Sequence, residues 1–383
     1  MPEDRLFGPT FTTPEMAAAV SEQAWLHAML EFETALARAE ARAGLIPQSA
    51  AEAISSACAA GGLDITGIGR QAPATGTPVA PMLEALRARL PEPAREHLHR
   101  GATSQDVLDT ALMLVARQGL ELLAADLAGV AAAAAGLARR HRATSMPART
   151  LLQQALPTTF GLKAAGWLVA VLEAADGLDA YRRTRLAVQL GGPAGTLSAL
   201  GDQGLAVRRE LAAEFDLPEP LLPWHTARAR VAELGAALAV AAGAVAKIAL
   251  DVVLLAQTEV GEVTEPEAPG RGGSSALPHK RNPALSVAAL GSARGVQAQA
   301  GLLLGTMVQA HERAAGEWQA EWLAVSEAFR LTAGAVARTR EVLEGLEVHA
   351  DRMQANLRVE GSTGSAAALI DLALADYERR AHE

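Results

Sequence analysis

The sequence predicts an all-α protein built round an elongated helical bundle. Three observations carry that reading. Half of the 383 residues are apolar but only 3% are aromatic, so the apolar mass is mainly Ala, Leu and Val. Alanine has the highest helix propensity, and small side chains let helices approach closely. Proline and glycine gather in clusters that leave long uninterrupted runs between them. No internal repeat and no strand-like alternation stands out.

The elements follow in order. The first hundred or so residues hold short helical pieces separated by Gly61-Gly62 and Gly76-Thr77-Pro78, with Ala24 to Ala43 as the first substantial helix. Val107 to Ala143 is Pro-free with apolar residues at helical spacing. Pro147 and Pro157 then bracket a connection. A second run reaches Leu190 before Gly191-Gly192, and a third extends from His225 to Glu265. Pro266, Pro269, Pro278 and Pro283 crowd one loop, and no proline follows. These breaks divide the chain into an N-terminal helical domain (1–106), a central bundle (107–345) and a short C-terminal helical segment (346–383). Such runs are far longer than the globular average of about 12 residues and leave apolar stripes that one chain cannot cover, so an oligomer is expected. The most apolar stretch, Leu234 to Ala256, contains Lys247 and Asp251. It reads as a buried bundle helix, not a membrane span.

The formal charge is −9 and no Lys/Arg cluster makes a basic face, which argues against nucleic acid and anionic membranes. The single Cys58 fits a reducing, cytoplasmic setting, and the N-terminus lacks a signal-peptide pattern. No metal or other cofactor is expected, because no cluster has metal-ligand spacing.

Chemistry concentrates in Gly272-Gly273-Ser274-Ser275-Ala276-Leu277-Pro278-His279-Lys280-Arg281-Asn282-Pro283. Read as a solvated loop, it would be unusually rich in anion-binding groups. It resembles the signature loop of the fumarase/aspartase superfamily, with Leu277 where methionine is common. That superfamily performs reversible β-elimination on carboxylate substrates. The resemblance makes Ser275 the base that takes the proton beside a carboxylate, and Lys280 and Asn282 the groups that hold the resulting dianion. Fixed cations and dipoles aimed at developing charge are an efficient way to stabilise such an intermediate.

Two further segments resemble the superfamily's other motifs, and the likeness as a whole runs from roughly residue 20 to 345. His99-Arg100-Gly101-Ala102-Thr103-Ser104-Gln105-Asp106 reads locally as a capping box opening a helix at Val107. A helix N-terminus is also an anion site, and the resemblance gives Thr103 and Ser104 a substrate carboxylate, with His99 in support. In Arg149-Thr150-Leu151-Leu152-Gln153-Gln154, the superfamily's acid histidine is replaced by Leu151, and Gln154 stands where some relatives carry a second histidine. Gln154 is kept as a substrate-binding residue.

The missing acid discriminates between reactions. Hydroxide or an amine must be protonated as it leaves, whereas a carboxylate, whose conjugate acid has a pKa near 4, leaves without help. That points to the lactone-forming cycloisomerase branch, which Gln189 to Leu197, Gln257 to Val263, Pro223-Trp224-His225-Thr226 and His311-Glu312-Arg313 also resemble. The implied substrate is a small tricarboxylate, met by a cationic pocket of Arg271, His279, Lys280, Arg281 and Arg313 that forms where segments of different subunits meet. Arg313 binds anion in that reading and forms a helix-surface salt bridge in the plainer one. His225 is either part of the site or a helix-start residue. The resemblance further implies a three-part fold and a homotetramer whose sites each draw on three subunits. Ala227 and Ala229 depart from the pattern, and the C-terminal part looks abbreviated. The rival readings are an adenylosuccinate-type C–N lyase and a catalytically silent structural relative.

Overall fold

The structure, a computed structural model, describes residues 6–274, 276–277 and 279–380. Its N-terminal part is a run of mostly short helices: α1 (Gly8–Phe11), α2 (Pro14–Ala19), α3 (Glu22–Arg42), α4 (Gln48–Ala59), α5 (Ile65–Thr75), α6 (Val79–Arg87) and α7 (Glu92–Arg95). Ser21 starts α3 by accepting the Ala24 N–H at 3.1 Å, the standard way a hydroxyl satisfies a first-turn donor.

The long Pro-free runs become α8 (Ser104–Arg140), α9 (Phe160–Thr184) and α11 (Ala229–Leu255), with α10 (Gly204–Phe215) between the last two. After the proline-rich loop come α12 (Ala284–Gly305) and α13 (Glu317–Glu344), then α14 (Ala350–Asn356) and α15 (Ala366–Arg380). Helices α8, α9, α11, α12 and α13 pack into one bundle, and α3 and α15 lie against it. Close approach rests on small residues. At Gly119 of α8 a Cβ would stand 2.6 Å from the Phe329 ring of α13, so only glycine fits there. Both α8 and α11 are long and apolar enough to cross a membrane. Each instead carries buried carboxylates facing protein partners, Asp106 and Asp109 in α8 and Asp251 in α11, the last accepting the Trp167 indole N–H at 2.7 Å.

One expectation is corrected. Residues between Pro147 and Pro157 are not a plain connection but an antiparallel hairpin, β1 (Ser145–Thr150) and β2 (Gln153–Thr159), in which the two prolines face each other. A second small ribbon joins β3 (Val263–Thr264) to β4 (Glu347–Val348). The turn of the first hairpin is Leu151-Leu152, with φ of 50° and 65°. A two-residue hairpin turn with positive φ at both positions normally selects Asn-Gly. Leucines disguise the turn.

Candidate active site

The α8 N-terminus is assembled round one buried carboxylate. Asp106 accepts the Thr103 N–H at 2.9 Å, the reciprocal half of a capping box. It also accepts the Gly191 and Gly192 N–H groups, each at 2.9 Å, and its Oδ1 lies 2.7 Å from His225 Nε2. Gly192 has φ of 73°, and a Cβ there would meet the Gly101 carbonyl at 2.7 Å. The glycine therefore lets the 191–197 loop close directly onto the His99–Asp106 segment. His225 is thus a buried partner of Asp106, four residues before α11, and does not start the helix.

Arg313 lies in the turn between α12 and α13. Its guanidinium donates to Gln105 Oε1 at 3.2 Å and to the Pro193 carbonyl at 3.0 Å. These acceptors are neutral, and Arg313 makes no ion pair among the described residues, so the surface salt-bridge reading is withdrawn. Thr103, Ser104 and Arg313 therefore share one end of the bundle. One turn deeper, Arg228 donates to Asp109 at 2.7 and 2.9 Å and to Glu321 at 3.1 Å, under the Trp318 N–H at 3.1 Å from Asp109. Burial works against charge at Arg228, but Asp109 and Glu321 outweigh it and push the guanidinium pKa up. Burial leads at Glu321 too and raises its carboxyl.

The other two segments lie at the opposite end. Glu262 donates its N–H to the Leu255 carbonyl in the last turn of α11, and its carboxylate clamps Arg149 of β1 at 3.0 and 2.6 Å. Glu265 caps α12, accepting the Leu285 and Ser286 N–H groups at 3.1 and 2.8 Å. Between Glu265 and α12 runs the signature loop. It is closed by Asn282, whose N–H and side-chain amide both donate to the Gly272 carbonyl, at 2.8 and 3.0 Å. His279 and Lys280 are exposed. Ser275, the expected base, and Pro278 lie outside the described residues.

Arg228 and Glu262 mark the two ends of α11, whose 27 residues span about 40 Å at ~1.5 Å per residue. A single chain therefore holds Thr103, Ser104 and Arg313 far from Lys280 and Asn282. The five-cation pocket is not formed within one chain. Arg271 pairs with Glu341 and Arg281 with Glu267, so these two are already neutralised. Gln154 is occupied as well: its amide donates to the Asn356 carbonyl at 2.8 Å and accepts the Arg358 N–H at 3.1 Å.

Leu151, in the histidine's place, is 96% exposed, and Leu152 and Leu156 are exposed beside it. An exposed apolar tip in a strained conformation is unusual for a free surface.

Residues 9–298 match the profile of the lyase family, and the match spans most of the chain. The chain belongs to that family, within the fumarase/aspartase superfamily. Among curated members, a 3-carboxy-cis,cis-muconate cycloisomerase from Bradyrhizobium diazoefficiens is 46% identical over 92% of this chain and 79% of its own length. A nitrosuccinate lyase from Streptomyces davaonensis is 47% identical over 93% and 77%. The crystal structure of 3-carboxy-cis,cis-muconate lactonizing enzyme from Pseudomonas putida superposes with a TM-score of 0.89 at 38% identity, covering 98% of this chain and 88% of that one. The all-α bundle of the lyase family is therefore the fold seen here. Sequence reasoning missed Asp109, Gln189, Arg228 and Glu321 as a set, because their partners lie tens to hundreds of positions apart. The available signal was a charge, Arg228, set between two alanines just ahead of an apolar run.

Proposed function

We propose that this protein interconverts 3-carboxy-cis,cis-muconate and 4-carboxymuconolactone, a step of protocatechuate breakdown. In the ring-opening direction Ser275 takes the proton from the carbon beside a carboxylate. The C–O bond of the lactone then breaks, and its electrons leave on the ring carboxylate oxygen. The heavy atoms are unchanged: the dicarboxylate lactone becomes a tricarboxylate, and the proton taken by Ser275 passes on to solvent. Lys280 and Asn282 hold the carboxylate as it becomes dianionic, and Thr103, Ser104 and Arg313 bind another carboxylate at the α8 N-terminus. Gln154 binds substrate only if its bonds to Asn356 and Arg358 open.

The observation that carries this reading is Leu151 at the position of the acid. A site lacking that histidine suits a leaving group that needs no proton. The same observation supports one second reading, nitrosuccinate cleavage, because nitrite is also a weakly basic leaving group and that relative is 47% identical. An amine-expelling lyase is disfavoured on the same ground, and a silent structural role by the intact signature loop. Incubating the protein with 3-carboxymuconate and with nitrosuccinate separates the two: loss of diene ultraviolet absorbance supports the cycloisomerase, and nitrite release alone overturns it.

The length of α11 also supports an assembly. Carboxylate-binding groups about 40 Å apart serve one small substrate only if different copies bring them together. We infer a homotetramer in which each site draws its segments from three subunits, with the Leu151-Leu152 tip docked on a neighbouring copy. A cytoplasmic location fits a chain whose one cysteine, Cys58, is buried.

A further inference from the structure

Behind the α8 N-terminus lies a group of buried titratable residues that the proposed reaction does not use. Glu33 and Glu40 of α3, which packs along α8, are 1% and 0% exposed. Glu33 Oε1 stands 2.7 Å from His99 Nδ1. Its second oxygen, and both carboxylate oxygens of Glu40, have no hydrogen-bond partner among the described residues. Burial pushes the Glu40 carboxyl up to about 8, Glu33's charge adds to the rise and Arg100 opposes it. Glu40 is thereby held as the neutral acid beside a charged Glu33.

His99 occupies a costly position. Its φ is 62°, uncommon for any residue with a Cβ, and its side chain is only 13% exposed. With Nδ1 committed to Glu33, Nε2 is the ring's remaining donor. The charged groups facing the ring are Glu33 from α3, Arg87 at the end of α6 and Asp106 from the first turn of α8. Burial disfavours the charged ring, yet Glu33's charge and hydrogen bond, helped by Asp106, outweigh burial and Arg87 and raise its pKa above 6.5. The charge balance explains why such a pair suits this place. Without a proton on His99, Glu33 and Asp106 would set two buried negative charges beside a site meant for a polyanion.

We propose that Glu33 is a positioning residue that orients His99 and keeps its ring protonated, so that Nε2–H offers a substrate carboxylate a second cationic donor near Arg313. This rests on the carboxylate-binding reading of the Thr103–Ser104 segment. It adds a residue of α3, distant in sequence from all three motifs, to the machinery of binding.

The test uses the full protein and an unreactive tricarboxylate, tricarballylate. Its affinity is measured by calorimetry across pH in wild type, Glu33→Gln, Glu33→Asp and His99→Gln, while ¹³C-labelled histidine NMR follows the His99 ring in each. Wild-type His99 is expected to titrate above 6.5, with affinity falling as pH rises through that point. In Glu33→Gln both transitions move down, and affinity near neutral pH drops about tenfold, the size of one lost charge-assisted contact. Glu33→Asp restores most of both. In turnover, Glu33→Gln raises KM more than it lowers kcat. A wild-type His99 titrating at or below 6.5 overturns the proposal even if Glu33→Gln does not fold. So does a transition that stays put in a folded Glu33→Gln. If wild type binds no tricarballylate while His99 titrates as expected, the carboxylate-binding reading of the segment fails, and the proposal with it.

Discussion

Where α8 begins, buried carboxylates meet buried donors: Asp106 joins Thr103, Gly191, Gly192 and His225, and Asp109 joins Arg228, Gln189 and Trp318. At the opposite end the hairpin exposes Leu151, Leu152 and Leu156, and the signature loop exposes His279 and Lys280. Both ends carry groups suited to a carboxylate, but only the first is completed by its own chain. A buried polar network must be satisfied internally because water cannot do it, so it forms as the chain folds. An exposed apolar tip is completed by a partner. The two ends should therefore respond differently to substitution: one in stability, the other in assembly and turnover.

The largest stability effect is expected at Asp106. Asp106→Ala leaves the Gly191, Gly192 and Thr103 donors and the His225 ring without their shared acceptor. The loss should be about 3–5 kcal/mol, as for other broken buried charge networks. Urea unfolding of the variant checks it. A loss below about 1 kcal/mol, the value of an ordinary exposed contact, would mean that this end is not held as described.

Much of this was legible in the sequence, for physical reasons. The long helices follow from where proline is absent: α9 and α11 each fall inside an expected run, and α8 starts three residues ahead of its own. The signature loop announces itself because fixed cations, hydroxyls and an amide are adjacent in sequence. The hairpin was hidden because leucines, not Asn-Gly, take the positive-φ turn. The cations of the expected pocket lie in two distant regions of one chain, Arg271, His279, Lys280 and Arg281 at one end of α11 and Arg313 at the other, so they share a site only across subunits, as the resemblance implied. The Asp106 network joins positions up to 119 residues apart, which no local pattern reveals.

A smaller effect tests the buried acid behind the same end. Glu40 has its pKa raised from 4.5 to about 8 by burial first and Glu33 second. It binds a proton in the folded chain that the unfolded chain has released. Its contribution is fully present below about 4.5 and is lost as pH rises toward about 8; linkage bounds it at about 5 kcal/mol, and relaxation of the buried site lowers that. Glu40→Gln removes that dependence. Its stability relative to wild type should climb between pH 5 and 9 in thermal unfolding, and a difference that does not change with pH would contradict the assignment.

The smallest effect belongs to the hairpin tip. Leu151→His restores the side chain of an acid at a site whose leaving group needs none. Little or no gain in kcat/KM with 3-carboxymuconate is expected, with no new limb near pH 6.5. A large gain would mean that proton donation to the leaving group limits the wild-type reaction.

The central claim, that the two ends act on one substrate only across subunits, is tested most directly by mixing. Ser275→Ala disables the loop end, and a Thr103→Ala/Ser104→Ala variant disables the α8 end. Each should fold and be inactive alone. After dissociation and reassociation of an equal mixture, up to about a quarter of wild-type activity should return, because each of the two segments at a shared site is intact half the time. A mixture that exchanges subunits yet stays inactive, or a wild-type monomer that turns over substrate, would contradict the account.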